Sequence, residues 1–284
     1  MNLHRRIYMD VSRRRRALPV LVLIPGLLGW LACLGRAPEQ LPAASEVTRR
    51  MIERSQALAR DAQGPQYTYE KRSLLERLDT NGKCLSSEQK IHQVTLIAGL
   101  PFNRLVKIQG RELNAEELQR EQARAERFRQ RFISADAKEL AARRQGLMTP
   151  ELLDRYQFAV EKRMVLSNRS TLVLTFKPKE GDLPCARVQD RVLNCIAGRL
   201  WVDEEEAETA RIEASLVKPI SLGWFGFLGS LSRCEACLER QRLPDGVWTN
   251  TKQALLIHCR KLTAPMRFRT TEVCQGFQKA ARKQ

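Results

Sequence analysis

The sequence predicts an α+β fold in which one large curved antiparallel sheet carries packed helices and follows an N-terminal signal segment. Three observations predict it. The stretch from Gly198 to Ser230 alternates with period two: Leu200 and Val202 against Arg199 and Asp203 around Trp201, then Ile212, Ala214 and Leu216 against Arg211, Glu213 and Ser215. Such spacing gives strands with one dry and one wet face. The acidic run Asp203–Glu206 suits the turn between them, and Pro219, which has no N–H for a central ladder, ends the second strand. Long stretches of the same kind flank this hairpin, and between them lie segments of helical period.

In chain order, Ser45 to Ala62 reads as an amphipathic helix with Val47, Met51, Ala57 and Leu58 on one stripe and Ser45 as N-cap, ended by Gly64-Pro65. Tyr67 to Leu78 is a strand, and Asp79-Thr80-Asn81-Gly82 supplies hairpin turn chemistry. Cys84 to Ala98 returns, Gly99-Leu100-Pro101 breaks the run, and Arg104 to Gly110 forms a third strand. Asn114-Ala115-Glu116-Glu117 resembles a capping box and starts a charged helix reaching Phe132, with Leu118, Ala125, Phe128 and Phe132 as its apolar stripe. Ser134 to Gln145 is expected to be a second helix. Thr149-Pro150-Glu151 starts a third, with Thr as N-cap and Pro at the first helical position. Phe158 to Leu166 and Thr171 to Lys177 form a hairpin, followed by a long polar connection from Pro178 to Asn194. After the acidic hairpin, Lys218 to Ser230 is a loop interleaving Trp224, Phe225 and Phe227 with glycines. Leu231 to Leu243, Trp248 to Leu262 and Met266 to Cys274 are the closing strands.

The chain has 284 residues and a formal charge of +17. Arg5, Arg6 and Arg13 to Arg16 precede an apolar run from Ala17 to Cys33, the order of a secretory signal. The segment 1–35 is therefore expected to be a signal peptide or a membrane anchor. Trp30-Leu31-Ala32-Cys33 is similar to a lipoprotein cleavage box, which makes Cys33 the lipidation candidate. Residues 36–66 are a linker and the first helix, 67–277 the sheet domain with a helical insertion at 114–157, and 278–284 a basic tail. Export to the periplasm or cell envelope makes disulfides plausible. The candidates are Cys185, Cys195, Cys234, Cys237, Cys259 and Cys274, with Cys185–Cys195 the favoured pair; structural thiols are the alternative. The positive charge near the C-terminus suits a solvated sheet face or an anionic membrane surface, and no nucleic-acid motif is present.

Arg191-Val192-Leu193-Asn194, Ala197-Gly198 through Trp201-Val202-Asp203, Pro219 through Trp224, Leu238-Glu239-Arg240, Leu243 through Trp248 and Arg267 through Thr271 carry a family resemblance. So do the helix start at Asn114 and the hairpin from Tyr156 to Lys179. In these positions the chain resembles the bacterial outer-membrane lipoprotein-sorting group, related in fold to the LolA/LolB carriers. The resemblance implies an open half-barrel whose concave side holds helices and, in the carriers, acyl chains.

No nucleophile elbow, phosphate loop or dinucleotide fingerprint occurs. Cys234 and Cys237, three apart on a strand, point to opposite faces and do not suit one metal. No enzyme activity, cofactor or metal is expected. The expected function is binding of an acyl chain, lipid or lipoprotein in an apolar concave cavity, with Trp201, Ile212, Leu216, Trp224, Phe225 and Phe227 as contacts. The alternative is an envelope interaction or sensing module with a filled core and a protein partner.

Overall fold

Among the described residues, twelve strands pair into one open sheet, every neighbour antiparallel. The computed structural model describes residues 40–60, 67–133, 148–222, 229–261 and 264–280. Helix α1 spans Ala44–Arg60. Strands β1 (Tyr67–Leu78), β2 (Cys84–Ile97), β3 (Leu100–Ile108) and β4 (Arg111–Glu112) precede helix α2, Ala115–Ile133. A single turn, α3 (Pro150–Leu153), leads into β5 (Tyr156–Leu166) and β6 (Arg169–Pro178). Helix α4 (Val188–Leu193) precedes β7 (Ile196–Asp203), β8 (Thr209–Leu216) and β9 (Ile220–Leu222). The chain finishes with β10 (Gly229–Arg242), β11 (Trp248–Lys261) and β12 (Ala264–Lys279). The order across the sheet is β4, β3, β2, β1, β12, β11, β10, β8, β7, β6, β5, with β9 pairing β10. The last strand thus docks between the first hairpin and the rest.

Several elements form where local sequence places them. Asn114 and Glu117 make the reciprocal capping box: each backbone N–H donates to the other's side chain at 2.9 Å. The Arg111 guanidinium, with the Asn114 amide, holds the Glu117 carboxyl down to about 2. Thr149 caps α3 through its hydroxyl, 3.2 Å from the Leu152 N–H. Asp79 accepts from the Asn81 and Lys83 amides at 2.8 Å and shapes the first hairpin turn.

Two expectations need correction or extension. The second turn is Ala98-Gly99, both with positive φ, so Leu100 and Pro101 belong to β3. Pro101 is the second residue of that strand, where a missing N–H is tolerated. The connection from Pro178 to Asn194 contains α4, too short to show a helical period. The expected helix at Ser134–Gln145, the signal segment with Cys33, and Trp224, Phe225 and Phe227 lie outside the described residues.

Directly paired residues share a face of the sheet. Leu172, Leu174, Leu200 and Val202 therefore lie together, each at most 2% exposed. Val47 and Met51 of α1 pack on them with Met148, Leu153, Tyr156 and Phe176. Burying each such side chain contributes about 1.5–3 kcal/mol. β6 is buried on both sides, because Val173 on the opposite face is covered beside Trp201. The other end of the sheet is closed differently. Helix α2 runs along the β3 edge: Glu121 accepts from the Leu105 N–H at 3.0 Å and Arg124 donates to the Asn103 carbonyl. Phe102 meets Phe128, ring centroids 5.1 Å apart. These contacts satisfy an edge that would otherwise be free to pair. Edge strand β5 instead carries a bulge at Val160/Lys162 flanked by charged Glu161 and Lys162.

Gly198 allows β7 and β8 to approach, since a Cβ there would stand 1.8 Å from the Glu213 carbonyl oxygen. Gly198→Ala should therefore separate the two strands and lower the midpoint of chemical unfolding, by overpacking of about 1–3 kcal/mol or more. A neutral effect in a urea titration would refute the close approach.

Candidate functional site

The apolar face that α1 covers at β5–β8 continues, without that helix, across β8, β10, β11 and β12. One cross-strand row runs Gly198, Ala214, Ala236, Leu255, Thr270, Leu75. Flanking it are Ile212 with Leu238, and Cys234, Ile257 and Phe268. Leu231, Cys259 and Met266 continue the same side toward β9. Most of these side chains are half-buried, unlike the sealed core beneath α1. Gly198, Ala214 and Ala236 are the small residues of that first row. Beyond β12 the same face turns polar at Arg77, Ser73 and Lys71, the last paired to Glu272 at 3.2 Å. The stripe is therefore bounded: core on one side, charge on the other.

The opposite face mixes charged residues with apolar ones such as Trp201, Ala254 and Leu256. Arg199, Glu213 and Cys237 share one row; Glu235, Leu256 and Arg269 share the next. These line an open groove of about 750 Å³. An acyl chain there would displace water from the ions beside Ala254 and Leu256 as well as cover those two side chains.

The turn between β7 and β8 holds the frame of the stripe in place. Asp203, 1% exposed, is bound by Arg169 of β6 and accepts from the Glu206 amide at 2.8 Å. Glu204 pairs with Arg163 of β5 and accepts from Ser170. Glu206 accepts from Arg242 at 2.7 Å and from the Trp248 indole N–H at 2.6 Å. Glu208 accepts from Arg54 of α1 at 3.1 Å and from Arg240 of β10 at 2.8 Å. Arg50 completes the dock, donating to the Glu204 carbonyl at 2.9 Å. Burial pushes the Asp203 carboxyl up, but the Arg169 hydrogen bond and the Glu206 amide outweigh it and leave it below the usual range. Arg163 lowers Glu204. Burial also opposes ionisation of Glu206, and Trp248 and Arg242 win.

Of the residues expected to contact ligand, Ile212 and Leu216 lie on the apolar face with Leu200 and Ile196. Trp201 lies on the other face, opposite Arg211, whose guanidinium stands 5.2 Å from its ring centroid. Trp224, Phe225 and Phe227 connect Leu222 to Gly229, which pair across β9 and β10. The expected contacts leave out Leu238, Leu255, Ile257 and Phe268; their signal is the same alternation, and it could not be used without knowing the partner strands.

All seven cysteines among the described residues are free thiols. Cys234 and Cys237 do point to opposite faces, through Ile257 and Ala254 respectively. Burial pushes both thiols up. Among the described residues no group of three His, Cys, Asp or Glu side chains stands ready for a metal ion. None of the described helices is long and apolar enough to cross a membrane.

No protein family and no curated protein matches the chain. Among solved structures it is similar to a DUF1329 family protein from Desulfovibrio piger, at 12% identity, covering 84% of this chain and 94% of that one, with a TM-score of 0.32. A putative outer membrane lipoprotein-sorting protein domain from Vibrio parahaemolyticus is 10% identical over 82% of this chain and 93% of that one, TM-score 0.34. A LolA superfamily protein from Nitrosomonas europaea is 8% identical over 86% and 96%, TM-score 0.30. Identity and TM-score are low in all three, so the description of this fold stands on its own strand order. That order and the bounded stripe define the class: an open, all-antiparallel sheet with one apolar side.

The acidic turn makes a pH prediction. Carboxylates whose folded pKa lies below the unfolded value, about 4, add stability above that value and lose it as pH falls through the folded pKa. Unfolding free energy from denaturant titrations should therefore hold between pH 7 and 5 and drop below about pH 4. Asp203→Asn should lower stability at pH 7 by about 3 kcal/mol, because Arg169 loses its buried partner, and should make the acid limb shallower. Identical acid limbs in the two proteins would refute the assignment.

Proposed function

We propose that this chain binds one long acyl chain, of a lipid or lipoprotein, along the stripe formed by β8, β10, β11 and β12. The observation that carries the proposal is the half-buried apolar row Ala214–Ala236–Leu255, with Leu238, Ile257 and Phe268 beside it, ending at charged residues. Ile212 and Leu216 belong to this contact set, as do Trp224, Phe225 and Phe227. Trp201 does not, since the sheet lies between it and the stripe.

Magnitudes limit the mode of binding. Each methylene taken out of water contributes about 0.8 kcal/mol. A sixteen-carbon chain lying on a surface buries only about half of that, roughly 6 kcal/mol, against an association cost of about 4–15 kcal/mol. Tight binding therefore needs a second wall over the chain. The segment carrying Trp224, Phe225 and Phe227, which joins β9 to β10 in the sequence, is the wall we propose.

An interaction-module reading has one observation in its favour: Val47 and Met51 already fill the space over β5–β8, which leaves no sleeve at that end. A partner would then meet the charged outer side of α2, since the β5 edge is guarded by its bulge. An envelope location, a lipoprotein-sorting role and contact with anionic membrane are part of the carrier proposal and rest on the sequence.

Palmitate titration followed by native mass spectrometry tests the reading. Purified protein should take up one palmitate. Leu255→Glu and Ile257→Glu, on the stripe, should weaken uptake at least tenfold, whereas Leu256→Glu, between them but on the other face, should leave it within about twofold. No uptake by the unaltered protein, or equal loss in all three variants, would overturn the carrier reading and favour the module.

A further inference from the structure

Two cysteines on different segments face one cavity. It holds about 1000 Å³ between the β6–β7 connection and the start of β9, and Cys185 and Cys195 both line it. Their segments are stapled one residue upstream of each. The Pro184 carbonyl accepts from Asn194 Nδ2 at 3.1 Å and from Arg155 Nη1 at 2.9 Å. The same Arg155 nitrogen donates to Asn194 Oδ1 at 2.7 Å, and Nη2 holds Asp190 of α4 at 2.7 Å. Cys185 and Cys195 therefore each follow directly on a member of one hydrogen-bonded pair. The Cys195 backbone is fixed on both sides, its N–H donating to the Val192 carbonyl at 2.9 Å and its carbonyl accepting from the Val217 N–H at 2.8 Å. Cys185 is exposed and Cys195 buried; both are thiols.

The register disfavours the other pairings on the sheet. Cys234 and Cys237 lie on opposite faces. Cys234 and Cys259 share a face but are diagonal neighbours, about 7–8 Å apart between Cα atoms, beyond the usual 4.4–6.8 Å range of a disulfide. Cys274 pairs with Lys71 on β1 and Cys259 with Met266 on β12, so they do not meet.

We propose that Cys185 and Cys195 are a redox dithiol, oxidised to an intramolecular disulfide that straps the β6–β7 connection along the cavity wall. The oxidant is a small disulfide such as oxidised glutathione. The accessible Cys185 thiolate attacks one of its sulfurs and releases one glutathione. The Cys195 thiolate then attacks the Cys185 sulfur of the mixed disulfide and releases the second. Two thiol protons and two electrons pass to two glutathione thiols. The order follows exposure: Cys185 is exposed to the reagent, whereas Cys195 is buried.

The reduced full-length chain, treated with oxidised glutathione, alkylated and digested with trypsin without reduction, provides the test. Peptides Glu180–Arg187 and Val192–Arg199 each carry a single cysteine. They should appear as one linked species that reductant separates. Cys195→Ser should leave Cys185 as a glutathione adduct, and Cys185→Ser should leave Cys195 unmodified. A stable glutathione adduct on Cys185 in the unaltered chain with Cys195 alkylated, or Cys185 linked to any other cysteine, would overturn the proposal.

Discussion

Asp203, Glu204, Glu205, Glu206 and Glu208 sit in one turn, and each takes a basic partner from outside it. Arg169 of β6 meets Asp203 and Glu205, Arg163 of β5 meets Glu204, Arg242 of β10 meets Glu206, and Arg54 of α1 and Arg240 of β10 share Glu208. So many like charges in a short turn repel one another, and the turn is stable only because the surrounding arginines are present. Pairs such as Arg49–Glu53 on the exposed side of α1 add little, since water and salt screen them. The Asp203 and Glu208 carboxylates are shielded from water, and their partners cannot leave without stranding a charge. This one turn fixes where α1 lies and how β5, β6 and β10 end around it.

From that constraint follows the uneven cover of the sheet. With α1 tied to the β7–β8 turn, its Val47 and Met51 reach β6 and β7 but not β11. At the far end α2 spends its polar side chains on the β3 edge, where Glu121 and Arg124 satisfy backbone groups. The apolar alternation continues between the two helices regardless. The result is a strip of half-buried Leu, Ile and Phe on β10 to β12, backed by a face that carries Glu235 and Arg269 beside Ala254 and Leu256.

Strand existence was legible along most of the chain because period two is a local signal. β1 runs over the same span that the alternation predicts, and the Asn114 capping box forms as its spacing implies. The alternation also contains the parity that puts Trp201 on the face away from Leu200 and Ile212, which the expected set of ligand contacts did not use. Less was legible where a role depends on a partner far away. Glu121 looks like one more solvent-facing charge on α2, and only the free Leu105 N–H makes it a buried one. Pro101 reads as a breaker until the positive φ of Ala98 and Gly99 shows that the turn has already been made.

By itself the sequence determined the elements and their two-faced character, because alternation, capping and turn residues act within a few positions of one another. Only the tertiary structure decided which faces meet, that the last strand inserts beside the first, and which acid belongs to which arginine. Those pairings join residues from about thirty positions apart, as Arg240 and Glu208 are, to more than a hundred and fifty, as Arg54 and Glu208 are, and charge identity alone does not choose among the many partners that such a basic chain offers.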